Sequence, residues 1–212
     1  NTAIGFESSH FLINGSTNTS LGSYSLLKNL SGDNNIAIGY QSLYSNNSDD
    51  NTSIGWKSSY SNITGTNNVS IGKESSFLNV SGTENISIGN YSLYSNDSSK
   101  NIAIGYNSLH DNQINDNIAI GYNSSYKNVS GTDNIAIGQE ASYHNLASKD
   151  NIAIGTKALY MNDSSFNIAI GYNAAYNNKA AENIAIGWKS NYSNLYGTHN
   201  VAIGNRALFN ND

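Results

Sequence analysis

Thirteen times along the chain the same five-residue pattern recurs: Asn, then Thr, Ile or Val, then Ala or Ser, then Ile or Leu, then Gly. Its glycines run from Gly5 to Gly204, and every interval between them is 16 or 17 residues. A period this strict leaves no room for a linker, so residues 1–212 are read as a single repeat domain. Each unit is too short to bury an apolar face alone and does so only against its neighbours.

Within a unit, apolar residues alternate (Ile152, Ala153, Ile154) instead of recurring three and four apart, and the aliphatics are mostly β-branched. Both features indicate a short strand and disfavour a helix. After the glycine a second alternating stretch follows, as in YQSLYSN at 40–46. Its third position after glycine is always Ser or Ala, its fifth is aromatic in ten units, and its seventh is Asn in twelve. This stretch is expected to be a second strand, turning at the Asn. Two strands and two turns per unit make one coil of a parallel β-solenoid, giving an all-β fold of about 13 coils. In such a stack the Asn of each NIAIG forms a column whose side-chain amides are expected to bond from rung to rung.

Unit length covaries with turn composition. Every 17-residue interval has an aliphatic residue eight after the glycine (Ile13, Leu30, Ile63, Val80, Val129, Leu146, Leu195), and six of the seven have a glycine two further on. The expectation is a turn that needs positive φ and tucks its aliphatic side chain against the core edge.

Alternation also assigns faces. The aliphatic pair of each strand is expected inside the coil, which leaves the small residue outside. That position is never larger than Ala or Ser, so it is expected to meet a neighbouring subunit at close range: Ala37, Ser53, Ser70, Ser87, Ala103, Ala119, Ala136, Ala153, Ala169, Ala185 and Ala202.

NIAIG followed by Ser or Ala three residues later resembles the head repeat of trimeric autotransporter adhesins, the YadA-like heads, and also the longer repeats of phage and viral tail-fibre proteins. The resemblance covers essentially the whole chain. It implies a left-handed parallel β-roll that assembles as a homotrimer. The autotransporter unit is shorter, which places this chain nearer the tail-fibre form.

Little in the sequence points to chemistry. The net charge of −5 and the lack of a Lys/Arg cluster argue against nucleic acid. There is no cysteine for thiol or zinc chemistry. His10, His110, His144 and His199 fall in distant units and unlike positions, giving neither a triad nor a metal spacing. NIAIG lacks the further glycines or the GK[ST] ending of a phosphate loop. No cofactor, metal site or enzymatic activity is expected, and no apolar run approaches a membrane span. Acidic residues before the Asn column (Asp50, Glu84, Asp116, Asp133, Asp150, Glu182) read as a solvated turn.

Two surface features remain. The residue after the glycine is aromatic in seven units, Phe6, Tyr40, Trp56, Tyr106, Tyr122, Tyr172 and Trp188, a file that reads first as packing at the coil's edge or between subunits and second as a surface able to stack on sugars or anchor a protein. Asn-x-Ser/Thr sequons, among them Asn29, Asn62, Asn79 and Asn128, are potential sugar acceptors. The chain thus reads as a segment of a longer extracellular fibre, at a cell surface or on a virion. Its partners are itself, as a homotrimer, and a host-cell surface protein or glycan. The alternative is a spacer that binds nothing.

Overall fold

The computed structural model of the protein describes residues 1–211. Those residues contain no helix, and their parallel strands stack as a β-solenoid of about 12 turns. The chain divides into two compact units, Asn1–Asn107 and the part from Ser108 onward. In the first, seven strands (Thr2–Ile4, Thr19–Leu21, Ile36–Ile38, Thr52–Ile54, Val69–Ile71, Ile86–Ile88, Ile102–Ile104) form one parallel sheet. In the second, Ile118–Ile120, Ile135–Ile137, Ile152–Ile154, Ile168–Ile170, Ile184–Ile186 and Val201–Ile203 do the same. Each residue pairs with its own repeat position one coil away, as Ala136 does with Ala153.

The stretch after the glycine is not the second strand that alternation implies. It is a run of turns in which the second and fourth residues after the glycine are left-handed, for example Lys157 (φ 57°) and Leu159 (φ 49°). The N–H groups of these two residues point in opposite directions. Lys157 N–H reaches back to the Gln139 carbonyl at 2.9 Å, while Leu159 N–H reaches forward to the Ala174 carbonyl at 3.0 Å. The ladder between coils therefore continues without extended backbone. Two-residue strands close the stretch only in the second unit, at Asp111–Asn112, Lys127–Asn128, Met161–Asn162, Asn177–Asn178, Ser193–Asn194 and Asn210–Asn211.

A third left-handed residue precedes each Asn of the pentad, as at Asp150 (φ 55°). Such backbone costs about 1–2 kcal/mol at a non-glycine residue and more where the side chain is β-branched. Of the 38 non-glycine residues with positive φ among the described residues, only Thr17 is β-branched. The sequence thus excludes Val and Ile from three positions per coil. Proline, which cannot take positive φ and removes a ladder donor, is absent from the whole chain.

The interior is the reverse of the expected arrangement. Ala37, Ser53, Ser70, Ser87, Ala103, Ala119, Ala136, Ala153, Ala169, Ala185 and Ala202 are buried inside their own chain's coil, while the flanking aliphatics face outward. Residues already buried by their own coil cannot form a contact between subunits. The reason is the thinness of the coil: its two walls meet through single hydroxyls, Ser42 Oγ to Ser53 Oγ at 2.8 Å and Ser87 Oγ to Ser92 Oγ at 2.6 Å. An isoleucine has no room there. Among the described residues the only large apolar side chains that are fully buried are leucines such as Leu43, Leu93 and Leu159, at the left-handed fourth position.

The longer turns also depart from expectation. Ile13, Leu30, Ile63, Val80, Val129 and Leu146 are exposed rather than tucked in. The accompanying glycines do not have positive φ; they are required by contact. A Cβ on Gly82 would lie 2.1 Å from the Ser98 carbonyl oxygen, and one on Gly65 2.3 Å from that of Gly82. At the one non-glycine case, Ser148, the hydroxyl points inward and bonds the Asn145 side chain.

Most pentad glycines combine positive φ with close approach, and the last has only the first. Gly155 has φ 126°, and a Cβ there would come 2.6 Å from the Gly171 carbonyl oxygen; Gly204 has φ 124° with nothing within 4 Å. Gly155→Ala is expected to lower the unfolding free energy by at least about 3 kcal/mol, and Gly204→Ala by only about 1–2 kcal/mol. Denaturant titration of the two variants checks this, and equal losses would mean that close approach plays no part.

Candidate functional site

Two asparagine columns fill what the small residues leave of the interior. In the first, the pentad Asn, each side-chain Oδ1 accepts the backbone N–H of the next Asn: Asn35 N–H donates to Asn18 Oδ1 at 2.8 Å and Asn167 N–H to Asn151 Oδ1 at 2.9 Å. Its Nδ2 donates to a turn carbonyl, as Asn18 does to Gly32 at 2.7 Å and Asn68 to Gly82 at 2.8 Å. The expected amide-to-amide ladder is present here in part, Asn68 donating to Asn51 at 3.2 Å and Asn151 to Asn134 at 3.1 Å, and recurs in a second column, seven after the glycine. There Asn62 donates to Asn46 at 2.7 Å, Asn178 to Asn162 at 3.0 Å and Asn194 to Asn178 at 3.1 Å.

Asn29, Asn62, Asn79 and Asn128 belong to this second column and are buried, with their Nδ2 atoms donating inside the coil. These sequons cannot hold a sugar in the folded chain. After expression through a glycosylating secretory pathway, peptide mass mapping of the folded fraction should find all four unmodified; a sugar on any of them would contradict the burial.

With the interior filled, what remains accessible is the outer surface. The strand aliphatics form exposed files, Ile137, Ile154 and Ile170 being in register at 36%, 37% and 36% exposure. The seven aromatics after the glycine, Phe6, Tyr40, Trp56, Tyr106, Tyr122, Tyr172 and Trp188, are all exposed, between 41% and 63%. Phe6 meets Tyr24 edge-on at 5.4 Å and Tyr106 meets Tyr91 at 5.8 Å, whereas the two tryptophans carry cations.

The continuous aromatic stack runs through the fifth position. In the first unit Tyr44, Tyr60, Phe77 and Tyr94 lie face to face at 4.9, 5.2 and 5.3 Å. In the second, rings follow one another from His110 to Phe209 at 5.0 to 5.3 Å. The recurrence of aromatics at this position was the signal for it. Burial, then the neighbouring Tyr44 phenol, raises the Tyr60 hydroxyl above its ordinary value; burial, then Glu74, does so for Tyr94, and burial, then Glu140, for Tyr160.

A phenol whose pKa is raised by folding stabilises the fold below the unfolded value of 10.0 and loses that contribution as pH climbs through the higher folded value. Tyrosinate absorbance should therefore show a class of tyrosines titrating above pH 10.0, with stability falling over the same range. A single class at the ordinary value would argue against the stack.

An open cavity of about 410 Å³ in the second unit is lined by His144, Leu146, Met161, Asp163, Asn177 and Lys179. Burial first, and then Lys127, lowers the His144 pKa, against an opposing effect from Asp163. The cavity lining holds no hydroxyl or thiol side chain beside that histidine. His10, His110 and His199 lie elsewhere, the last 2.5 Å from Glu182. The acidic residues before the Asn column, among them Asp50, Asp116 and Asp150, occupy left-handed turn positions in separate coils. Among the described residues no three side chains are grouped to hold a metal.

Comparison with protein-family models, with curated proteins and with solved structures gives no match.

Proposed function

We propose that the chain is a segment of an extracellular fibre, a homotrimer of left-handed β-rolls, which presents a stiff, repetitive surface for attachment to host cells or surfaces. The observation that carries this reading is the outward aliphatic file. A solenoid that puts Ala and Ser inside and Ile outside, coil after coil, leaves an apolar stripe of the kind soluble monomers rarely expose. Burial of such a stripe gains about 25 cal/mol per Å². A closed ring of three chains lets each one bury its stripe against the others, and three is the number implied by the resemblance to YadA-like heads and tail fibres.

Attachment would act by avidity. Near-identical coils on three chains offer many weak contacts at once, to a host protein or glycan, from a cell surface or a virion. The fully occupied interior supports a non-enzymatic role.

Light scattering should give the mass of three chains. Ile137→Lys, Ile154→Lys and Ile170→Lys combined should reduce it to one chain while the β circular dichroism is retained. A monomeric wild-type chain would contradict the assembly. Failure of the multivalent wild-type segment to bind glycans or host cells would remove attachment and leave a spacer.

A further inference from the structure

The chain has ten Lys and Arg residues, and four of them sit on its two tryptophans. In the first unit Lys57 Nζ lies 4.6 Å and Lys73 Nζ 5.3 Å from the Trp56 ring. In the second unit Lys189 Nζ lies 4.8 Å and Arg206 Cζ 5.0 Å from the Trp188 ring. Each cluster has a further ring: Lys57 is also 5.6 Å from Tyr60, and Lys189 5.5 Å from Tyr192. The two coils share the same local sequence, IGWKSSYSN at 54–62 and IGWKSNYSN at 186–194. One constellation thus occurs twice.

An aromatic ring holds a cation without neutralising it. None of the four cations is in an ion pair among the described residues, whose only lysine–carboxylate pair is Lys157–Glu140. The charge at each tryptophan is held beside the ring without a carboxylate partner, Lys73 and Arg206 being exposed and Lys57 and Lys189 half-buried, on a chain that is acidic overall. The cations of one cluster both lie near a single indole, and the tryptophan that carries it is exposed (41% for Trp56, 42% for Trp188). A complementary ligand has anionic substituents beside a flat apolar face. Sulfated or uronate-bearing sugar rings combine the two, through their substituents and the C–H face of the pyranose. A glutamate or aspartate side chain offers the charge without the face.

We propose that the Trp56–Lys57–Lys73 and Trp188–Lys189–Arg206 clusters are binding subsites for anionic glycans, the cations taking the sulfate or carboxylate groups and the indole the sugar face. This deepens the attachment reading and rests on it. In the Trp56 cluster Lys73 is shared with Tyr91, whose ring lies 5.2 Å from its Nζ and whose hydroxyl it hydrogen-bonds, with Glu74 adding a smaller attraction, so the Trp188 cluster is the stronger site.

The protein reports on itself here, since its only two tryptophans lie in the two clusters. Titration with a heparin oligosaccharide should change tryptophan emission, with neutral dextran and poly-glutamate giving no comparable change. Replacing Lys57, Lys73, Lys189 and Arg206 by Gln should weaken binding about tenfold or more. A charge-matched control, Lys28, Lys100, Lys127 and Lys179 to Gln, should change it less than about threefold, with both variants checked by circular dichroism. Equal losses in the two variants, heparin binding without an emission change, or equally tight poly-glutamate binding would each overturn the proposal. If host-cell binding survives in the first variant, the subsites are wrong and attachment stands; if the wild-type chain binds neither cells nor any glycan, attachment fails as well.

Discussion

Everything in this structure depends on the narrowness of the coil. Two walls that touch through a pair of serine hydroxyls admit nothing larger than Ala or Ser on the strand side. Such an interior gains little from hydrophobic burial, so cohesion comes from elsewhere: from backbone ladders between coils and from asparagines whose side chains pair with peptide groups of the next coil. Buried amides are costly unless every group is paired, and repetition pairs nearly all of them at once, because each rung presents its neighbour with the same donors and acceptors. The narrow coil also explains the left-handed residues. A chain that must close a turn in 16 or 17 residues while keeping its N–H groups aimed at both neighbours uses alternating hands of backbone where a longer coil would use a strand.

Apolar side chains excluded from inside have to go outside. The isoleucines on the outer strand face and the aromatics after the glycine are both products of that exclusion, and they give the surface its two chemistries. The aliphatic files suit another copy of the chain. The aromatic positions hold cations or stack through the fifth-position rings, which suits recognition.

The period, the strand and the parallel register were legible in the sequence because spacing alone dictates them. Inside and outside were not. Alternation separates Ile152 and Ile154 from Ala153 but does not say which side is enclosed, and the rule that large apolar residues go inside fails when the enclosure is too small to take them. The information was present in other residues: Ser or Ala at the third position after glycine faces Ala153 and its equivalents across the coil, so two facing walls of small residues mark a thin interior. The post-glycine stretch looked like a strand because its side chains alternate. The missing sign was the absence of Val and Ile from positions such as those of Lys157, Leu159 and Asp150, where the backbone is left-handed. The tryptophan clusters needed coordinates, since Arg206 reaches Trp188 only across a coil.

The central claim is that two buried, hydrogen-bonded asparagine columns are the spine of the coil. Hydrogen exchange of the asparagine side-chain amides, followed by NMR, tests it directly and does not depend on oligomeric state. The account predicts that the carboxamide protons of residues such as Asn62, Asn151 and Asn178 exchange as slowly as the strand N–H groups beside them, while exposed asparagines such as Asn14 exchange freely. Uniformly fast exchange of all asparagine side chains, with the backbone still protected, would contradict it.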